Sequence, residues 1–377
     1  MDAAVHGSTT VTAIGFMVAA VLVLGGLVLP IGPDASLSSH GGALAMTLAA
    51  AALFALAPWH RGASVVLGFA GVILGCAAAL ELLADPGVAG MARLGFWAIV
   101  LGTWLAAGLV VTQLSGLRWR HQALRRVNDV VIPLLFGAFL IYLWEVVVRG
   151  FGVPSVLMPA PGAIATQFFG ALPLLGQDFV QTFMRGVLSG YAIGCGAGFI
   201  VAIIAHRYVF LGKGLLPLGN FVSALPIVGI APIMVMWFGF DWPSKTAVVA
   251  IITFFPMLVN TLAGLVAAGS MERDLMRSYG ARPAQTLIKL HLPAALPFIF
   301  NGLKINSTLA LIGAIVAEFF GTPTLGIGFR ISTEVGRMSL AMVWAEIALS
   351  AIAGMAFYGI VALAERATTF WHPSYRT

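Results

Sequence analysis

TAVVAIITFFPMLVNTLAGLVAAGSM, residues 246–271, runs for 26 positions without an Asp, Glu, Lys or Arg. A bilayer core about 30 Å thick needs ~20 apolar residues of helix to cross it, and this stretch supplies them. Charge-free intervals of the same kind separate Asp2 from Asp34, Arg93 from Arg118 and Lys213 from Asp241. Across all 377 residues 60% are hydrophobic and 9% charged, with a mean hydropathy of +1.00. Soluble domains carry roughly a quarter charged residues, so a soluble globular protein is excluded. The fold class is all-α, a polytopic membrane protein.

Apolar runs between charged or Pro/Gly-rich breaks give ten expected spans: 11–29, 43–58, 63–83, 94–114, 130–148, 181–205, 216–239, 245–268, 296–316 and 341–364. The first lacks the basic start and small-residue cleavage site of a signal peptide and is read as a retained helix. Ten spans place both termini on one side. With that side cytoplasmic, Arg61, Arg118, Arg120, Arg125, Arg126, Arg207, Lys213, Arg273, Arg277, Arg282, Lys289, Lys304, Arg366 and Arg376 fall inside. That is 14 of the 20 basic residues, against 5 of the 14 acidic ones, so the net charge of +6 is mostly a topology signal. The basic stretch 117–129 divides an Ala- and Gly-rich accessory bundle, 1–116, from a working core, 130–377, with longer loops and interior prolines.

The two cysteines, Cys76 and Cys195, lie in apolar runs and offer neither a disulfide framework nor a thiolate site. The histidines have no metal-ligand spacing, and no nucleophile, base and orienting acid share an aqueous segment, so neither a metal site nor an enzyme is expected. Gly186, Gly190, Gly194 and Gly198 recur every four residues and form a smooth ridge on which a neighbouring helix can pack closely. Whether that neighbour belongs to the same chain or a second one is open. Ionisable and amide groups near apolar segments, Glu145, Arg185, Asn260, Asn301, Lys304 and Glu318, are the candidates for a solute path.

The longest charged loop on the inner side, 270–293, reads SMERDLMRSYGARPAQTLIKLHLP. Ser270 is expected to cap a short helix whose first turn holds Glu272 and Asp274, and Gly280 to end it in the left-handed region. Pro283 suits the opening turn of a second helix and Pro293 the entry to the ninth span. Leu275, Met276 and Tyr279 share a face rimmed by Arg273, Arg277 and Arg282, which marks a surface for another protein.

This loop resembles the EAA loop of ABC importer permeases: Glu-Ala-Ala, three residues, Gly, nine residues, Ile, any residue, Leu-Pro. The match runs through Gly280, nine residues, Leu290, His291 and Leu292-Pro293. Asp274-Leu275-Met276 departs from the opening triplet, keeping an acid but enlarging both alanines. Residues 294–304, Ala317-Glu318-Phe319, Pro226, Pro232, Trp237-Phe238-Gly239, Phe255-Pro256, Asn260-Thr261 and Glu365-Arg366 resemble the subfamily that imports nitrate, sulfonates, taurine, bicarbonate or thiamin precursors. The resemblance spans roughly 128–372 and implies a type I core of six helices in a homodimer in the cell inner membrane.

It further implies a cytoplasmic ABC ATPase that supplies ATP and Mg, an extracytoplasmic solute-binding protein, and lipid around the chain. Nucleic acid has no place in it. Glu272, Asp274, Leu275, Met276, Arg277, Tyr279, Gly280, Arg282, Leu290 and Pro293 would then couple the chain to the ATPase. The chain itself contains no Gly-x-x-x-x-Gly-Lys-Ser/Thr, so ATP is expected to be hydrolysed elsewhere and no cofactor is expected here. The rival readings are an ion-coupled secondary transporter, whose intramembrane carboxylates are sparse here, and a membrane scaffold, suggested by the extra helices.

Overall fold

The computed structural model describes residues 2–59, 63–116, 122–223, 226–321 and 324–371. Arg61, Arg118, Arg120 and Arg376 of the expected inner charge, and positions 117–121 of the expected linker, lie outside these residues. The chain divides into two compact units, Met1–Ile164 and Ala165–Thr377.

The first unit contains α1 (Asp2–Val28), α2 (Gly41–Leu56), α3 (Ser64–Leu82), α4 (Leu94–Gly116) and α5 (Gln122–Gly150). Small residues explain how four of these helices pack. Gly68, Gly71, Gly75, Ala78 and Ala79 form the buried face of α3. A Cβ on Gly71 would stand 2.5 Å from the Phe54 ring, and one on Gly75 2.4 Å from the Thr103 hydroxyl. Where side chains are absent, backbones approach and dispersion holds them, because lipid gives little hydrophobic drive between helices. Buried Thr47 and Thr103 donate to the carbonyls of Ala43 and Ile99 four residues back, which satisfies both hydroxyls. The α5 helix, assigned to the core in the sequence reading, falls in this unit: Val146 joins a cluster with Phe96 and Ile99, and Arg149 donates to the Leu83 carbonyl at 2.7 Å.

A polar clasp closes the loop end of this unit. His40 Nε2 lies 2.6 Å from Asp85 Oδ2, and the Gly87 N–H donates to Asp85 Oδ1 at 2.7 Å. Burial works against a charge on His40, but the bonds to Asp85 and the Ser36 carbonyl outweigh it and raise its pKa above the ordinary 6.5. Asp85 is held below its ordinary 3.8, first by Gly87 and then by His40. The His40 contribution is therefore complete below pH 6.5 and disappears as pH rises through its raised value. That of Asp85 is complete above 3.8 and disappears as pH falls through its lowered value. Thermal unfolding of the full chain and of His40→Gln should differ at pH 5.5 and converge by pH 9; a constant difference would contradict the clasp.

In the second unit α6 (Pro161–Gly170), which begins in the first, and α7 (Leu172–Phe179) lead through a π-helical segment, Val180–Val187, into α8 (Leu188–Arg207). Then follow α9 (Val209–Ser223), α10 (Ile227–Phe238), α11 (Trp242–Leu265), α12 (Ser270–Ser278) and α13 (Pro283–Thr286). After a π turn, Leu287–His291, the chain ends with α14 (Leu292–Glu318), α15 (Ile327–Gly336) and α16 (Leu340–Thr368).

The glycine ridge of α8 packs within the chain, against α11. Built Cβ atoms on Gly190, Gly194 and Gly198 would meet Val249, Thr253 and the Phe254 carbonyl at 2.5, 2.1 and 2.5 Å. Both helices advance together along this seam, so they are parallel, and the chain between them must return the length of the bundle. The expected seventh span, 216–239, is that return, but it is not one helix. Pro226 is extended, with φ −69° and ψ 120°, and stands between α9 and α10. Neither α9 (15 residues) nor α10 (12 residues) is long enough alone to cross. Nine helices among the described residues have span length and composition, and this broken pair makes the tenth passage.

α14 runs antiparallel to α11, with Gly302 against Met257 and Asn260, and Gly313 against Ile252. α16 runs antiparallel to α14, with Lys304 beside Glu365. The end of α8, the segment 266–291 and Glu365 thus share one end of the unit, and Asp178, Asp241 and Glu318 share the other.

Candidate functional site

The segment 270–291 is a bent helical arm. Ser270 is the first residue of α12 rather than its cap; Gly269 holds the cap position with extended backbone and no side chain to bond. Only Glu272 falls in the first turn of α12, with Asp274 one residue beyond it, and Pro293 lies inside the helix that begins at Pro283; the expected turn at Gly280 and start at Pro283 are present. Gly280 has φ +66°, its N–H donates to the Arg277 carbonyl at 2.9 Å, and the Ala281 N–H donates to that of Met276 at 3.0 Å. This left-handed closure satisfies two carbonyls that the helix end would orphan. Pro283 opens α13, and the Arg282 N–H donates to the Gln285 side chain at 2.7 Å.

Apolar side chains on this arm face outward. Met271, Leu275 and Tyr279 are 81%, 56% and 82% exposed, and Ile288 beyond the bend is 64% exposed. Successive spacings of four put the first three on one stripe of α12. The sequence reading found Leu275 and Tyr279 but missed Met271 and Ile288; the i−4 position of Leu275 was the available signal. Met276, Leu290 and Pro293 are half-buried, and Glu272 and Asp274 are exposed. Asp274 stands 3.6 Å from Arg277, a solvent-screened pair of little energetic weight.

The arm is fastened at its root. His291 Nδ1 bonds the Leu265 carbonyl at 2.8 Å, and Leu287 and Leu292 pack on Met257, Leu265, Ala295 and Ile299. From Pro283 the chain stays helical to Glu318, 36 residues or about 54 Å at 1.5 Å per residue. One rod therefore connects the arm to the opposite end.

At that opposite end, buried side chains cap α15. The N–H groups of Gly326, Ile327 and Gly328 donate to Asp178 Oδ1 (2.6 Å), Thr182 Oγ1 (2.8 Å) and Glu318 Oε2 (2.7 Å). Thr182 donates in turn to Glu318 at 2.9 Å, and Arg330 Nε to Asp178 at 2.9 Å. Two of the helix-opening donors meet acids and the third a hydroxyl, at the positive end of the dipole. Gly326 has φ +131°, a conformation other residues resist. Lys245, 2% exposed, donates to the carbonyls of Phe240, Asp241 and Gly321 and ties the start of α11 to the end of α14. Asp178 and Thr182 were not singled out from sequence, since nothing local distinguishes them from loop residues.

Glu346 is also fully buried; its carboxyl group lies beside that of Asp178, and no N–H donor among the described residues bonds either of its oxygens. The two glutamates should therefore respond oppositely. Glu318→Ala strands the Gly328 N–H and the Thr182 hydroxyl and should cost about 2–5 kcal/mol. Glu346→Met replaces a buried carboxyl that crowds the Asp178 carboxylate with an apolar group of similar volume and should be neutral or stabilising. Melting temperatures of the two purified variants in one detergent check this; equal losses would refute it.

The remaining path candidates separate. Asn301 Nδ2 donates to Asn260 Oδ1 at 3.0 Å across α11 and α14, and Asn301 is exposed. Lys304 pairs with Glu365 at 2.7 Å near the arm end. Arg185 donates to Gln181, which donates to Asp241 at 3.3 Å near the far end. Glu145 lies in the first unit, 3.3 Å from Arg149 and accepting from the Gly162 N–H at 2.7 Å. Only Asn260 and Asn301 touch. Asn306 is buried, donating to Cys195 and the Thr253 carbonyl, and stitches three helices.

Residues 190–370 match the family described as binding-protein-dependent transport system inner membrane component. The riboflavin transport system permease protein RibX of Chloroflexus aurantiacus is 31% identical over 248 residues, covering 64% of this chain and 90% of that protein. A putative aliphatic sulfonates transport permease protein, SsuC of Bacillus subtilis, is 31% identical over 245 residues, 64% of this chain and 88% of its own. The formylaminopyrimidine transport permease protein ThiX of Halalkalibacterium halodurans is 28% identical over 252 residues, 66% and 98%. Each match leaves about a third of this chain uncovered.

Proposed function

This chain belongs to the family of binding-protein-dependent transport system inner membrane components, and from that premise we propose how its geometry drives import. It is the multi-pass permease subunit of an ABC importer, a class that works with an ATPase and a solute-binding protein. The outward apolar stripe of Met271, Leu275 and Tyr279 is the surface the ATPase grips, with Glu272, Asp274 and Arg282 as its polar rim; Arg273 and Arg277, expected in that rim, lie on the opposite face of α12. Gly280, Leu290 and Pro293 shape and root the arm. The carrying observation is that this exposed stripe is joined by one tight turn to a 36-residue helix. Closure of the ATPase on bound ATP and Mg then moves a rod whose far end holds α15 through Glu318. A push on α12 passes through the tight Gly280 turn to Pro283 and then along the rod to the other end.

In this reading the arm and both termini are cytoplasmic, because basic residues gather there and retention of positive charge sets orientation. Two copies enclose the path, with the Asn260–Asn301 pair, of which Asn301 is exposed, lining it and Arg185 and Glu318 near its outer mouth. ATP is hydrolysed on the separate ATPase chain. Residues 1–116 are an accessory bundle that serves assembly or regulation, and 130–377 carries transport. The names of the relatives point to a small sulfonate-like anion or a pyrimidine-like thiamin precursor as the solute, selected by the binding protein.

The test is co-expression of the tagged full chain with its ATPase, followed by reconstitution in liposomes. The expected result is co-purification of two permease copies with the ATPase, and ATP hydrolysis that rises several-fold when loaded binding protein is added. Solute accumulation without any ATPase would overturn the reading in favour of a secondary transporter.

A further inference from the structure

The arm helix α12 has a second face. Each helical residue turns about 100°, so Arg273 and Arg277 point about 180° away from the centre of the Met271, Leu275 and Tyr279 stripe. The arginine face borders an open cavity of about 700 Å³ that is also lined by His206 and Arg207 at the end of α8, by Thr286 and by His291. None of the residues lining it is acidic. Among the described residues Arg207 and Arg273 have no ion-pair partner, and Arg277 has only the exposed Asp274 at 3.6 Å. The rings of His206 and His291 stand 4.7 Å apart and join the two walls. Guanidinium groups present forked donors that fit phosphate oxygens, and basic pockets at helix ends beside the membrane suit anionic headgroups.

We infer that this cavity binds a phosphate-bearing anion, held by Arg207 from α8 and by Arg273 and Arg277 from the arm. A bound anion bridges α8 and the arm from behind while the ATPase holds the apolar stripe in front, so its occupancy sets how freely the arm moves. The source is either an anionic phospholipid headgroup, since α8 ends here, or a soluble phosphate compound. The regulatory role rests on the arm being the ATPase-facing element; the anion chemistry does not.

The test uses the full chain in neutral detergent, the triple variant Arg207→Gln, Arg273→Gln, Arg277→Gln, and a control, Arg125→Gln, Arg126→Gln, which neutralises exposed basic residues at the start of α5. Native mass spectrometry would measure retention of phosphatidylglycerol against phosphatidylcholine, and thermal unfolding would follow titration with inorganic pyrophosphate. The expected result is about a tenfold or greater loss of anion binding in the triple variant, with the control unchanged. A version carrying lysine at the three positions should keep part of the binding. Arginine-dependent retention of phosphatidylglycerol alone identifies a lipid site, and an arginine-dependent pyrophosphate shift alone a soluble ligand; either supports the inference. No anion binding, or equal loss in the control, overturns it. ATPase co-purification is measured in parallel: a wild-type chain that binds the anion but captures no ATPase would sink the docking reading alone.

Discussion

Replacing Leu275 and Tyr279 together with aspartate is expected to abolish ATP-driven transport and ATPase capture while leaving a folded, membrane-inserted chain. Both side chains are mostly exposed, so their loss removes little from the fold, and surface substitutions of this kind usually change stability by under about 0.5 kcal/mol. At an interface the same positions count for far more. Central aromatic and aliphatic anchors cost roughly 2 kcal/mol or more when truncated, and a carboxylate buried against an apolar groove adds a desolvation cost of similar size. Two such changes amount to at least about 4 kcal/mol, or roughly a thousandfold in affinity. Gly280→Val should act in the same direction more weakly, because φ +66° forces a β-branched residue into strain and tilts the arm. Pull-down with the ATPase and liposome uptake measure both. Undiminished capture by the double aspartate variant would show that the stripe is not the docking surface.

Gly194→Val is expected to prevent the second unit from assembling. Even a bare Cβ at this position would lie 2.1 Å from Thr253 Oγ1 and 2.5 Å from the Ala250 carbonyl, and the latter belongs to backbone that cannot rotate away. α8 and α11 would have to part, and with them the Asn306 bond to the Thr253 carbonyl. Overpacking a close seam costs about 1–3 kcal/mol for extra methylenes and more when backbones are forced apart, out of a total stability of about 5–15 kcal/mol. Gly196→Val supplies the comparison, because its Cβ meets nothing within 4 Å. The Gly194 variant should be lost to aggregation or proteolysis while the Gly196 variant purifies normally. Equal yields and equal melting temperatures would refute the close-approach account.

Gly194 also shows how far periodicity can be read. A glycine every fourth residue defines a helical face whatever the rest of the chain does, so the ridge was legible. Its partner was not, because a smooth face fits any helix that reaches it; only the parallel course of α8 and α11 settles the choice. The seventh span illustrates the reverse. Hydropathy averages over a window, so 216–239 reads as one crossing, whereas the helix depends on each backbone bond and fails at Pro226.

The arm was the most legible part of the site. Its turn and exposed apolar stripe depend on neighbours within about eight residues, and Gly280, Pro283, Leu275 and Tyr279 are local signals. The polar cluster around α15 was not legible. Thr182 reaches Glu318 and Asp178 reaches Gly326 over sequence separations of 136 and 148 residues, and no local pattern distinguishes a buried acid awaiting a distant N–H from one left in water. The sequence by itself determined that this chain lives in a membrane, about how often it crosses, and where a charged helical arm with an apolar stripe leaves the bundle, because hydropathy, charge and turn chemistry are properties of short stretches. Which helices touch, that the arm is continuous with a rod to the far end, and that three arginines share a cavity behind it were decided by tertiary structure alone, because those relations exist only once distant segments have been packed.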